Sequence, residues 1–139
     1  MTVLPSQDDG SVLLRTEYSD ESAWQSALRA ATTPHPQPDG WVFEAHLTPY
    51  EDKALAGKPP EVIASLPSGG YLSFAFIADG RTMADHTFVV LDLAEERGRW
   101  FRCTAEAVQA IENNLSLANM DFYEFADAAD PDGVFRDLA

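Results

Sequence analysis

YLSFAFIA (Tyr71–Ala78) and TFVVLDL (Thr87–Leu93) are the stretches that decide the fold. Both are nearly continuous apolar runs of strand length. A strand without polar alternation is one covered on both faces. The connector between them, Asp79–His86, is short, and a parallel crossover needs about a dozen residues. The two strands therefore either pair antiparallel across a wide loop or are joined by a compressed one-turn connection. Glu95-Glu96-Arg97-Gly98 then turns the second run into Arg99–Cys103 as a hairpin.

Working upstream, Val12–Arg15 is a short apolar run that suits a buried strand. Ser19 or Asp20 offers a helix N-cap. Trp24, Ala27, Leu28 and Ala31 follow at helical spacing, which predicts a helix over 20–31. Pro34, Pro36 and Pro38 make residues 32–40 a proline-rich connector inside the domain. Trp41, Phe43, Ala45 and Leu47 alternate with polar or smaller residues. That period of two predicts an edge strand wet on one side, ended by Pro49. Pro59-Pro60 opens a short helix, Glu61–Leu66.

Downstream, Thr104 caps the longest C-terminal helix, with Val108, Ile111, Leu115 and Ala118 as its buried stripe. Asn119 is the residue expected to end it in the left-handed conformation. Asp121 to Glu124 reads as an acidic capping box starting a last short helix anchored by Phe122 and Phe125. Asp130-Pro131-Asp132-Gly133 suits a type I turn. The expected fold is α/β: one sandwich-like domain over residues 1–139, with a flexible start at 1–10. Its mixed sheet has about five strands, with helices on both faces.

The chain holds 23 Asp and Glu against 9 Lys and Arg, a formal charge of −14, yet 45% of it is apolar. Such a field repels nucleic acid and anionic lipid and favours cationic partners. The apolar fraction assigns the acid to a folded surface and not to disorder. Half of the net charge falls in residues 104–139, where Arg136 is the sole base. The polar, acidic residues 2–10 lack the form of a signal peptide, no apolar run approaches a membrane span, and Cys103 is the single thiol. These features predict a cytoplasmic protein.

No motif fixes a reaction. There is no GxGxxG, GxxxxGK[ST] or GxSxG, so no nucleotide or other cofactor is implied. His35, His46 and His86 lack metal-ligand spacing. Asp130, Asp132 and Gly133 imitate part of a calcium loop, but Ala128 and Ala139 stand where its first and last ligands belong. Cys103 reads as a packed core residue. Topology suggests one weaker constellation. Ligands of open α/β sheets sit beyond strand carboxyl ends, and Glu17, Asp20, Asp79 and Arg81 would gather there if the strands run parallel.

Ile111-Glu112-Asn113-Asn114-Leu115-Ser116-Leu117-Ala118-Asn119-Met120-Asp121-Phe122-Tyr123-Glu124-Phe125-Ala126-Asp127-Ala128, followed by Asp132-Gly133-Val134-Phe135-Arg136, resembles the signature of an uncharacterised bacterial domain family of small acidic α/β proteins. Leu13-Leu14-Arg15-Thr16, Ala78-Asp79 and Val89-Val90-Leu91-Asp92-Leu93 are similar to it as well. The resemblance implies no activity and carries over no site residue.

Three functional expectations follow. The first is a non-enzymatic binding or regulatory module that presents an acidic face to a basic or mixed-charge protein partner. Its candidate contacts are Glu112, Asn113, Glu124 and Asp127. The alternative is a small-ligand or divalent-metal-dependent enzyme built on Asp20, Asp79 and Arg81 at the strand ends. A homodimer paired through its edge strand is a third possibility.

Overall fold

The computed structural model describes residues 2–36 and 38–137. Its centre is a six-stranded sheet of β1 (Ser11–Arg15), β4 (Leu47–Glu51), β5 (Phe74–Ala78), β6 (Phe88–Asp92), β7 (Trp100–Cys103) and β8 (Val134–Phe135). The spatial order is β4-β1-β5-β6-β7-β8, and β6 alone runs against the others. The runs at 71–78 and 87–93 thus pair antiparallel, with Phe76 opposite Val90. Their connector contains one short helix, α3 (Gly80–Asp85), so both features expected of that connector coexist. The hairpin into β7 is also as expected, with Gly98 at φ 99 in its turn.

The crossovers explain how the layers form. Chain leaving β1 passes through α1 (Glu21–Thr32) to β4 on one side, then through α2 (Pro60–Ala64) to β5 on the other. Two crossovers of one hand that travel in opposite directions must lie on opposite faces. Trp24 and Ala27 of α1 accordingly pack with Leu13, Phe76 and Val90, while Ile63 of α2 packs with Leu14, Ile77 and Leu91. Alternate residues of every central strand feed the two layers, which is why those strands read as unbroken apolar runs. Burying Phe76 and Phe88 completely contributes about 1.5–3 kcal/mol each.

Helices α4 (Ala105–Ser116) and α5 (Phe122–Ala126) cover the same face as α1. Phe122 and Phe125 are buried as expected. Phe101 and Phe135 meet them, with ring centroids 5.2 Å apart for Phe101–Phe122 and for Phe125–Phe135. The Asp121 capping box is in place, with Glu124 accepting the Asp121 N–H at 2.8 Å.

Three expectations are corrected. Residues 2–10 are not a free tail: Leu4 is buried, bridges Ser68, and donates its N–H to Pro67 O at 2.8 Å. The short α2 leaves sheet uncovered on its side, and Leu4 fills that space. The alternating stretch from Trp41 does not make the edge strand. Val42–Phe43 (β3) pairs instead with His35–Pro36 (β2) as a separate ribbon, and Leu47–Glu51 occupies the edge, with Pro49 inside it. An edge strand has one row of N–H groups without partners, so a proline is tolerated there. The left-handed residue ending α4 is Ala118, at φ 56, and not Asn119.

Candidate functional site

The carboxyl ends of the five parallel strands lie along one edge, and the arginines there are all engaged by acids. Arg15, last residue of β1, is buried. Its Nε donates to Glu17 O at 2.8 Å, and its Nη1 to Glu21 at 2.8 Å and Glu51 at 2.7 Å. Its guanidinium carbon lies 4.4 Å from the centre of the Tyr18 ring and 5.0 Å from that of Trp24. Arg102 of β7 makes a two-pronged pair with Asp79. Burial pushes the Asp79 carboxyl up, but Arg102 and the amide and hydroxyl of Thr82 outweigh this and hold it below the usual range. Arg81 pairs with Asp85 at 2.9 Å, and Arg136 with Asp130 and Asp132. Hydrogen bonding from Arg136 and the Val134 amide brings Asp132 down to about 2.

The strand-end constellation therefore has other duties. Asp20 caps α1 by accepting from Ala23 N at 3.0 Å. Asp79 caps α3 in a reciprocal box with Thr82. Glu17 accepts the N–H groups of Tyr18 and Ser19, both at 3.0 Å. Glu17 and Asp79 do flank the crevice between β1 and β5, where the chain order reverses and such sheets commonly hold ligands. Thr16 closes it, donating its N–H to Ala78 O at 2.9 Å and accepting from Gly57 N at 2.8 Å. Among the described residues no group of three or more His, Cys, Asp or Glu converges as a metal site. Cys103 is fully buried, and burial pushes its thiol up, away from the reactive thiolate.

The opposite edge differs. Asp8 and Asp9 precede β1, Glu44 precedes β4, Asp92 and Glu95 end β6, and Asp121 opens α5. None of these carboxylates forms an ion pair with a described residue. Three of them, Asp92, Glu95 and Asp121, line a cavity of about 120 Å³ between the sheet and the end of α4. Phe74, Leu115, Met120 and Phe122 give it apolar walls, Asp92, Glu95 and Asp121 give it carboxylates, and its lining contains no Lys or Arg. Asp92 is held by the N–H groups of Ala94 at 2.9 Å and Glu96 at 2.8 Å. Ser73, at the mouth, donates its N–H to Gln7 Oε1 at 2.9 Å, so the N-terminal segment braces the rim.

Of the four expected binding residues, the structure leaves Asn113 exposed on α4 and gives the others partners. Glu112 is only 4% exposed, so it is not part of an acidic surface. Its oxygens accept from Ser11 Oγ at 3.0 Å and His46 N at 2.8 Å. Glu124 closes the capping box, and Asp127 pairs with Arg99. The residues that line the cavity escaped the sequence reading, apart from those recognised as caps or anchors. One signal was present: Asp92 is an acid at the end of an otherwise apolar strand.

A sheet wound in both directions from β1, with four arginines paired to acids at its carboxyl edge and acids without ion pairs at its amino edge, defines a single α/β domain. Residues 10–138 match the family described as a domain of unknown function, DUF6924, and the chain belongs to that family. No curated protein and no solved structure matches it. Among the described residues, no helix is long and apolar enough to cross a membrane.

Proposed function

We propose that the protein is a non-enzymatic binding module whose amino edge receives a basic protein partner, with a lysine or arginine side chain of that partner entering the cavity. The carrying observation is the cavity itself: apolar walls for the methylene stem, the exposed carboxylates of Glu95 and Asp121 for the charged head, and no competing cation in the lining. Long basic side chains bury their stems and keep their heads near polar groups, and this lining matches that division. The surrounding acids steer association, and the same field disfavours nucleic acid and anionic lipid. The single buried thiol suits a reducing compartment, and the proposal puts the protein in the cytoplasm. Self-pairing through β4 is no part of it, since Pro49 and Glu51 are features that guard an edge strand against addition.

A peptide alternating arginine with glycine, titrated calorimetrically against the full chain, tests the reading. The double variant Glu95→Gln, Asp121→Asn should weaken binding about fivefold, the sum of two partly exposed charge contacts. The charge-matched control Glu17→Gln, Asp20→Asn, at the other edge, should leave it unchanged. Equal losses in both variants would reduce the effect to net charge, and absence of salt-sensitive binding would reject the module outright.

A further inference from the structure

The ribbon formed by β2 and β3 exposes Trp41 at 68%, Val42 at 56% and Phe43 at 43%, in succession. Contiguous large apolar side chains on a surface mark contact sites when they have no local packing role. These three have none in either core layer. The ribbon is nevertheless fixed at its root. Ala45 is buried in the layer beneath α1 and α4, and the His46 N–H is held by Glu112. Through its second oxygen Glu112 also holds Ser11 at the start of β1. This buried carboxylate ties the ribbon's base to the helix whose next turn, at Leu115, lines the acidic cavity.

Charge indicates what covers the ribbon. From Ala30 to His46, the stretch that carries the ribbon and its root, the chain has no Lys or Arg, while Asp39 and Glu44 on either side of Trp41 are acids, and Asp39 Oδ1 accepts the Trp41 backbone N–H at 3.0 Å. An exposed indole flanked in sequence by two carboxylates is a favourable seat for a guanidinium, which the ring attracts by its face and the acids by their charge. Val42 and Phe43 beside it offer contact to apolar side chains. We infer that the ribbon is the second half of the partner surface, and that its occupant is a protein segment interleaving arginine with large apolar residues. Glu112 acts as a positioning residue, holding the ribbon beside the cavity. The inference rests on the reading of the amino edge as a site for a basic partner, and adds that the partner segment is amphipathic and not merely cationic.

Two peptides of equal length and charge separate the claims, one alternating arginine with glycine, the other arginine with leucine. The arginine–leucine peptide should bind the full chain about fivefold more tightly, the effect of a few partly buried apolar contacts. That advantage should vanish in the double variant Trp41→Ser, Val42→Ser. In the unaltered protein, its addition should shift the Trp41 indole N–H resonance and leave that of the buried Trp24 in place. Equal affinity for the two peptides, an advantage that survives in the variant, or an unmoved Trp41 resonance would overturn the ribbon's role while leaving the acidic cavity standing. Failure of both peptides to bind would overturn both claims.

Discussion

Ala118 carries the left-handed turn that ends α4. At φ 56 its Cβ crowds the following carbonyl, a strain of about 1–2 kcal/mol that glycine does not meet. The turn is otherwise complete: Ala118 N–H reaches Leu115 O at 3.2 Å and Asn119 N–H reaches Asn114 O at 2.9 Å, the paired bonds of a helix closed by a left-handed residue. Glycine would relieve the strain and give back part of the gain through the added freedom of its unfolded chain. Ala118→Gly should therefore stabilise the fold by about 0.5–1 kcal/mol. Urea denaturation would show this as a higher midpoint at unchanged slope, and a lowered midpoint would mean that the Ala118 methyl packs usefully at the cavity rim. Asn119 is the better left-handed former by residue type, which is why composition pointed there. The bonds to Asn114 and Leu115 fix the turn one residue earlier.

Among the elements, α3 and β7 meet across β6 through Asp79 and Arg102. The Arg102 side chain is 11% exposed, so removing its partner leaves a largely buried cation. Asp79→Ala deletes this partner and the helix cap together, and should cost about 3–5 kcal/mol. Asp79→Asn keeps an acceptor for the Thr82 N–H and should lose about half as much. Thermal melts of the two variants would check the ordering, and equal losses would mean that the ion pair carries the whole effect and the cap none. Asp79 also shows what was readable in the sequence. Strands β1, β5, β6 and β7, α1, the Asp121 box and the β6–β7 turn were legible because each rests on local pattern: an apolar run, a helical stripe, a cap at fixed spacing; the two-residue β8 is too short to show one. Asp79 could be seen as a turn residue beside Gly80, but its partner Arg102 is joined to it only by sheet order. Glu112 failed for the same reason. A helical wheel places it beside the buried stripe, and only the docking of the His46 segment covers it. The ribbon was misread because the period of two at Trp41–Leu47 is genuine, while the sheet position it implied belongs to Leu47–Glu51. Of the cavity only Asp92, an acid closing an apolar run, left a signal, since the site joins residues from β5, β6, α4 and α5 that no spacing connects.

On the scale of the whole molecule, the charge is divided by strand direction. Arg15, Arg81, Arg102 and Arg136 are all engaged by acids near the carboxyl edge, while Asp8, Asp9, Glu44, Glu95 and Asp121 on the amino side have no ion pair with a described residue and repel one another. Salt screens such repulsion over about 10 Å at 0.1 M. At pH 7 the melting temperature should therefore rise by a few degrees, on the order of 1 kcal/mol, as sodium chloride is added. The effect should vanish near pH 4.3, the sequence isoelectric point. Acid acts in the other direction on the paired groups. A carboxyl whose folded pKa lies below its unfolded value stabilises fully above the unfolded value and loses that contribution as pH falls through the folded one. Asp79, Asp85 and Asp132 belong to this class, with Asp132 at about 2. Stability should accordingly fall from about pH 4 to pH 2, where these three take up protons. Melts over pH 2–8 at two ionic strengths test both limbs. A salt-insensitive melting temperature at pH 7 would show that the amino-edge acids are too well solvated to repel, and so too weakly coupled to steer a partner. If they do repel, the arginine–glycine peptide should raise the melting temperature more than sodium chloride of equal ionic strength, because it places its charge where the unbalanced field is.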